Sequence, residues 1–267
     1  MKRLLQYTAW NWSMGRGPVA LLLVLGATAE CLMLFVAAAS VNQAALAYGD
    51  LVESAGVLWV IAATYLLLPI CAQAVQERAA HTARTSYTLF TLPLSRWELL
   101  LGRALSGIIW MILAMAVQTL VLVLLSGPIL ALQDSVSAGC FLFDVTEQGR
   151  LWWALAECSI LRTMLPDSIP GIVFTAGMLF VPSFMMSSAL MHSGWKRVTA
   201  FVIAFAEQAA LFMLANPVLT GKNTWEQIGR ALQTSTGMAT FLVVMAGVAI
   251  VQILWGLWAS YRSEAAA

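Results

Sequence analysis

Residues 76–103 read QERAAHTARTSYTLFTLPLSRWELLLGR and lie between two long apolar runs. The segment carries four arginines, Arg78, Arg84, Arg96 and Arg103. Short cytoplasmic loops of membrane proteins collect Lys and Arg, and this bias sets the orientation of the neighbouring spans. The sequence therefore predicts that residues 76–103 form a cytoplasmic loop between two membrane spans.

The composition is that of an integral membrane protein. Of the 267 residues, 61% are hydrophobic and 10% are charged, whereas soluble domains average about 45–50% apolar and about 25% charged residues. The net charge of +1 offers no basis for nucleic-acid binding, because nucleic-acid-binding domains carry a strongly basic patch. We therefore expect the lipid bilayer as a partner and no nucleic acid.

Six stretches of the chain are apolar for about 20 residues, the length that crosses a hydrocarbon core of about 30 Å. In lipid every backbone amide must be paired within its own element, so these stretches are expected to be helices. The predicted fold class is all-α, an integral membrane protein with six transmembrane helices in a single permease domain, residues 1–267. The predicted spans are 18–40, 55–75, 104–125, 171–190, 198–218 and 238–258.

The distribution of the 14 Lys and Arg residues predicts the orientation. If both termini are inside, the outer side holds Arg150, Arg162, Lys222 and Arg230, and all the others lie inside. A basic excess on the inner side is the established rule. We expect a multi-pass protein of the plasma (inner) membrane with cytoplasmic N- and C-termini.

The first 17 residues combine Tyr7, Trp10 and Trp12 with basic side chains. This mixture is typical of a helix that lies at the level of the lipid headgroups. The sequence predicts an N-terminal interfacial helix at residues 1–17. A solvated tail anchored by its tryptophans is the alternative.

The second half of the loop, LPLSRWELLLGR at residues 92–103, resembles a segment of ABC-2-type transporter permeases. In that family an LPxSR turn and a short coupling helix precede a transmembrane span and face a separate ATPase. The resemblance implies a non-catalytic permease subunit of an ATP-driven exporter, paired with a second permease chain as a homodimer or heterodimer. It also implies that ATP and Mg²⁺ bind to the partner ATPase. The residues that it assigns to ATPase coupling are Glu77, Arg78, Pro93, Ser95, Arg96 and Glu98.

Local signals predict how the coupling helix begins. Pro93 disfavours helix at the residue before it, so a preceding helix should end there. Ser95 is expected to be the N-cap of a new helix, with Glu98 three residues later as its capping-box partner. That helix should lead directly into the span at 104–125. The alternative roles are headgroup anchoring for Arg96 and capping alone for Glu98.

Glu30 and Glu207 are the ionisable residues inside the predicted spans. A charge at the centre of a span costs about 2.5–3.5 kcal/mol on insertion scales, so such residues are functional candidates. We expect them to line a transport pathway. The alternative is that they are protonated or hydrogen-bonded for packing. Two other functions remain open: a non-transporting membrane anchor or assembly protein, and a secondary transporter that uses Glu30 or Glu207 as a proton or sodium site.

Cys140 and Cys158 lie in the predicted outer loop and would form a disulfide if that side is oxidising. Two unpaired thiols are the alternative. The sequence has no Cys/His spacing typical of zinc, no HExxH motif and no GxxxxGK[ST] phosphate loop. We therefore expect no catalytic residue, no metal and no cofactor on this chain.

Overall fold

The computed structural model describes residues 2–40, 46–82, 95–136, 155, 158–165, 169–192, 194–215, 243–244 and 246–258. Within these residues every regular element is an α-helix. The helices are α1 (Lys2–Ala39), α2 (Tyr48–Ser54), α3 (Val57–Thr82), α4 (Arg96–Val136), α5 (Ser159–Met164), α6 (Ile169–Ala189), α7 (Gly194–Ala215) and α8 (Ala246–Trp258).

Two of these helices are long and apolar enough to cross a membrane, and they are Arg3–Ala39 within α1 and Arg96–Val136. A third crossing is formed if Tyr48–Ser54 and Val57–Ala72, which are bent by 64° relative to each other, count as one span. These numbers apply to the described residues alone. The membrane character predicted from composition is therefore supported by two or three spans, and six spans remain a prediction.

The apolar side chains on α1 explain why the helix suits lipid. Much of its surface between residues 21 and 36 is exposed and aliphatic or aromatic, a pattern that water would disfavour and hydrocarbon accepts. The most exposed of these side chains are Leu21, Val24, Leu25, Leu32 and Val36.

The N-terminal segment and the predicted first span form one continuous helix. Residues 2–17 are helical, as predicted, but no break separates them from the rest of α1, which contains Pro18. Proline has no N–H, so the helix loses one backbone hydrogen bond at this point without ending. The structure thus shows one helix of 38 residues, roughly 57 Å long, in place of an interfacial helix with its own boundary.

The predicted second span begins differently from the expectation. The predicted second span begins at residue 55, with no helix expected before it, whereas Tyr48–Ser54 forms the short helix α2, with Tyr48, Leu51 and Val52 buried. Gly56 then adopts φ +75, a conformation that residues with a Cβ rarely adopt, and the chain turns into α3. Burial of the apolar side of α2 stabilises a helix that its length alone would leave marginal.

The chain divides into two compact units. The first unit comprises Met1–Ala20, Leu66–Ile112 and Ala176–Ala267; the second comprises Leu21–Tyr65 and Leu113–Thr175.

In the first unit α6, α7 and α8 pack closely. One core cluster joins Met185 and Met186 of α6 to Ala204 of α7 and Ala249 of α8. The Gln252 side-chain amide donates to the main-chain oxygen of Ala200 at 2.9 Å, which links α8 to α7. Small residues permit such close approach of membrane helices, and buried amides hold them together.

In the second unit two polar side chains connect the segment around α2 to α4. The Tyr48 hydroxyl donates to the main-chain oxygen of Leu122 at 2.6 Å. The Gln133 amide donates to the main-chain oxygen of Leu46 at 3.1 Å. Both bonds are made by side chains of low exposure, so α2 is fixed by tertiary contacts as well as by its own backbone.

Candidate functional site

Glu30 lies on α1 within the second unit and is completely buried, with 0% of its surface exposed. Neither of its carboxyl oxygens has a hydrogen-bond partner among the residues that the structure describes. Buried polar groups are almost always paired, and an unpaired one calls for a functional or chemical explanation. Glu30 is therefore the first candidate for a site.

Gln118 of α4 is the polar neighbour of Glu30 in this unit. It is also buried, and its Nε2 atom has no hydrogen-bond partner within the described part of the chain. The amide and the carboxyl thus lie side by side, although neither Glu30 oxygen reaches hydrogen-bond geometry. The sequence reasoning missed Gln118, and the available signal was a lone amide inside the apolar run 104–125, where an uncompensated polar group is unfavourable.

Close packing between α1 and α3 borders the same region of α1. Gly26 lies one turn before Glu30, on the same face of the helix. A Cβ at Gly26 would lie 2.8 Å from the Thr64 hydroxyl oxygen of α3. Thr64 itself is buried and donates to the main-chain oxygen of Val60 at 2.9 Å. A residue with a Cβ at position 26 would therefore force Thr64 to shift, so glycine favours the close approach of α3 to α1 at this level.

Glu207 lies on α7 in the first unit and is 6% exposed. Its two carboxyl oxygens also lack a hydrogen-bond partner within the described residues. The adjacent Gln208 is fully buried. The two carboxyls selected from the sequence are thus both buried, and each lies within a different unit.

The start of α4 has the capping box that the sequence predicted. The backbone N–H of Ser95 donates to Glu98 Oε2 at 2.8 Å, and the Ser95 hydroxyl donates to the same oxygen at 3.0 Å. In return, the backbone N–H of Glu98 donates to the Ser95 hydroxyl oxygen at 3.3 Å. These backbone and side-chain bonds from Ser95 lower the pKa of the exposed Glu98 carboxyl. The helix begins at Arg96 and continues without interruption to Val136, so the predicted connection into the apolar span is confirmed.

The first turns of α4 pack on the first turns of α1. A Cβ at Gly102 would collide with Cδ1 of Tyr7 and would lie 3.0 Å from its Cε1. The Tyr7 ring stacks on Trp10 with centroids 6.1 Å apart, and Leu99 packs against it. Arg103 Nε donates to the Tyr7 hydroxyl oxygen at 3.2 Å. The end of the LPLSRWELLLGR segment is therefore attached to the N-terminal part of α1, a contact that the sequence did not indicate.

A second aromatic contact lies further along both helices. Trp12 of α1 stacks on Trp110 of α4 with centroids 5.2 Å apart. A Cβ at Gly15 would lie 3.3 Å from Nε1 of Trp110. The two helices are thus joined along several turns.

The remaining residues selected from the sequence are only partly described. Glu77 and Arg78 lie in the helical backbone of α3, but their side chains are outside the described part of the structure. Pro93 and Cys140 are also outside the described residues. Cys158 precedes α5 and is buried. The predicted Cys140–Cys158 disulfide therefore remains a prediction.

Comparisons with known proteins yield no match: neither a family model, nor a curated protein, nor a solved structure is similar to this chain. Among the described residues no group of three or more His, Cys, Asp or Glu side chains is placed to hold a metal ion.

Proposed function

We propose that this chain is the membrane-spanning permease subunit of an ABC-2-type ATP-driven exporter. It crosses the plasma (inner) membrane six times, with both termini in the cytoplasm. It pairs with a second permease chain and with a separate ABC-type ATPase subunit, which binds ATP and Mg²⁺. The permease itself has no catalytic role.

The capping box at Ser95 and Glu98 is the observation that supports this function most directly. It begins a helix at Arg96, the last residue of the LPLSR segment, and that helix continues unbroken through an apolar stretch. A force applied to the loop by a partner protein would therefore reach the apolar part of α4 along a continuous helix.

The contact between Gly102 and Tyr7 extends this argument to α1. Because α4 is attached to α1 near its start, a displacement of the loop would also move the N-terminal turns of α1. Glu30 lies further along that same helix. In the proposed mechanism Pro93, Ser95, Arg96 and Glu98, with Glu77 and Arg78, receive the movement of the ATPase, and Glu30 and Glu207 lie along the transport pathway.

Affinity co-purification in mild detergent tests the proposal. We would compare the unmodified chain with Arg96→Glu and with the control Lys196→Glu, which makes the same charge change in the first turn of α7. An acidic residue in the first turn of a helix is favourable, so both helices should remain folded. The expected result is a stoichiometric ATPase that is lost with Arg96→Glu and kept with Lys196→Glu.

Two outcomes would contradict the proposal in different ways. A folded, monodisperse protein that brings down no nucleotide-binding partner would exclude the permease function. Equal loss of the ATPase with both variants would mean that Arg96 has no special role in coupling. The folded state of each sample is checked by circular dichroism and size-exclusion chromatography.

The unpaired Glu30 carboxyl favours a second candidate function, a proton-coupled secondary transporter. Proton movement into proteoliposomes without any ATPase, abolished by Glu30→Gln, would support it. A non-transporting membrane anchor or assembly protein would show neither an ATPase partner nor transport, and the double substitution Glu30→Gln with Glu207→Gln would leave its activity intact.

A further inference from the structure

The region around Glu30 and Gln118 has one unusual property: two buried polar side chains lie together, and each has a polar atom without a hydrogen-bond partner in the described chain. Both oxygens of Glu30 and Nε2 of Gln118 are shielded from solvent and lack a hydrogen-bond partner within the described chain. Buried groups of this kind bind a ligand, a water molecule or one another. The chemistry of the pair decides which of these applies.

An ionised Glu30 would need a positive partner. A buried carboxylate without a cation is strongly unfavourable, and such groups are found neutral, paired or coordinated to a metal. In the described part of the chain, Gln118 is the side chain that acts on Glu30, and an amide carries no net charge. No lysine or arginine of the described residues acts on it in this way.

A metal ion does not fit the region either. Hard cations such as Ca²⁺ and Mg²⁺ take six or more oxygen ligands, of which carboxylates usually supply several. The described residues hold no group of three or more potential metal-ligating side chains, and Glu30 is completely enclosed. A proton also neutralises a carboxylate, and it needs neither additional space nor additional charged ligands. We therefore consider a proton as the ligand of Glu30.

We propose that Glu30 and Gln118 form a proton-binding site within the membrane-embedded part of the protein. Glu30 is held as a neutral carboxylic acid. Its O–H donates to Oε1 of Gln118, and Nε2 of Gln118 donates to the carbonyl oxygen of the acid. In this two-bond pair both oxygens of Glu30 and Nε2 of Gln118 have a partner.

The titratable groups near the site carry no positive charge; the carboxyl of Glu53 on α2 interacts with Cys158, and the others are thiols and a phenol. Cys31 follows Glu30 on α1 and interacts with it. Tyr48 of α2 interacts with Cys31 and with Cys158, which precedes α5. Thiols and phenols keep their protons at neutral pH unless a cation stabilises their anions. From α3, Thr64 contributes a hydroxyl opposite Gly26. None of these elements supplies a positive charge that would displace the proton from Glu30.

This inference deepens the role of Glu30 as a pathway residue, but it does not depend on an ATPase partner. It states what the carboxyl binds and which residue holds it. The test below uses the purified chain without nucleotide. Its failure would leave the permease proposal untouched, and the failure of the co-purification experiment would leave the proton site untouched.

Infrared difference spectroscopy in proteoliposomes at neutral pH tests the proposal. A protonated carboxylic acid has a carbonyl-stretching band that a carboxylate lacks, and ¹³C-labelled glutamate identifies the bands that come from Glu. The variant Glu207→Gln removes the other buried carboxyl seen in the structure and serves as the background. Glu30→Gln, which has nearly the same shape, is compared with it, and Gln118→Leu removes the amide while keeping similar volume.

The expected result has three parts. The acid band is present in the Glu207→Gln background and disappears when Glu30→Gln is added. It moves to higher wavenumber with Gln118→Leu, because the carbonyl loses its hydrogen bond. It moves to lower wavenumber in D₂O, because a bound proton that exchanges with solvent is replaced by deuterium.

Each opposite result overturns the proposal. Carboxylate bands in place of the acid band would show that Glu30 is ionised. An acid band that persists in Glu30→Gln would come from another residue. If Gln118→Leu does not move the band, the hydrogen bond between Glu30 and Gln118 is excluded. If D₂O does not move the band, the acid does not exchange its proton with solvent and is not a binding site. If Glu30→Gln fails to fold, the isotope shift, Gln118→Leu and D₂O measurements still decide the question.

Discussion

Replacing Gly102 by alanine tests the attachment of α4 to α1. Taken alone, alanine in the interior of a helix is more favourable than glycine by roughly 0.5–1 kcal/mol. At this position, however, the added Cβ would collide with the ring of Tyr7. The two effects have opposite signs, so the measured sign shows whether the contact exists.

The steric effect should be the larger one. The Tyr7 ring is held on one side by stacking on Trp10 and at its hydroxyl by Arg103. It therefore cannot move aside without losing contacts. Adding a methyl group to a well-packed site typically costs about 1–3 kcal/mol. We expect Gly102→Ala to lower the free energy of unfolding by about 1–2 kcal/mol after the gain in helix propensity is subtracted.

A double-mutant cycle isolates the contact. In a Tyr7→Ala background the ring is absent, so Gly102→Ala should become stabilising by about 0.5–1 kcal/mol. The matched control is Gly177→Ala in α6, where an added Cβ would meet nothing within 4 Å. The free energy of unfolding is measured by titration with SDS in mixed micelles, followed by circular dichroism. Should Gly102→Ala stabilise the protein as much as Gly177→Ala does, the packing of Tyr7 on Gly102 would be refuted.

Three further predictions concern a backbone contact and two titratable groups. Gly256→Ala should lower the free energy of unfolding by about 1–3 kcal/mol, because the added Cβ would lie 2.8 Å from the main-chain oxygen of Ser188. The same SDS titration measures this change, and a neutral effect would contradict the close packing of α6 and α8. The bonds from Ser95 lower the pKa of the Glu98 carboxyl from 4.5, so these bonds stabilise α4 fully above that pH and are lost as the pH falls through the lowered value. Ser95→Ala should therefore reduce the thermal stability more at neutral pH than in acid, where only the bond from the Glu98 backbone N–H to the Ser95 hydroxyl oxygen remains to be lost. An equal loss at both pH values would argue against the contribution of the carboxylate to the cap. Burial is the main cause that lowers the pKa of His192 from 6.5, and the charges of Lys196 and Arg197 on α7 add to it. The folded protein therefore binds this proton less readily than the unfolded protein does, and the stability should fall as the pH drops below 6.5. His192→Phe should weaken this pH dependence in thermal melts, and an unchanged pH profile would exclude His192 as its cause.

Several features of the fold could be predicted because their causes lie close together along the chain. The apolar runs predict helices, and α1, α3, α4, α6 and α7 cover much of those runs. The capping box at Ser95 and Glu98 involves residues three positions apart, so its geometry follows from local backbone chemistry. Hydropathy and helix caps are short-range signals, and they need no knowledge of which helices are neighbours.

The start of the second span shows where local signals are insufficient. A short segment such as α2 is not stable as an isolated helix, and its formation depends on the burial of Tyr48, Leu51 and Val52. The Tyr48 hydroxyl reaches the main chain of Leu122, a residue on α4. Whether residues 48–54 are a loop or a helix was therefore decided by packing.

The sequence by itself determined that the chain forms apolar helices of membrane-spanning length, that a capped helix begins at the end of the LPLSR segment, and that Glu30 and Glu207 are the carboxyls to examine. The tertiary structure alone decided that Gln118 lies beside Glu30 and that Tyr7 lies over Gly102. The physical reason is that hydrophobic burial has no direction. The hydrophobicity of a segment predicts whether it is buried in lipid or protein. The side chains that it then contacts depend on how the helices pack, and the periodicity within one helix does not encode which helices become neighbours.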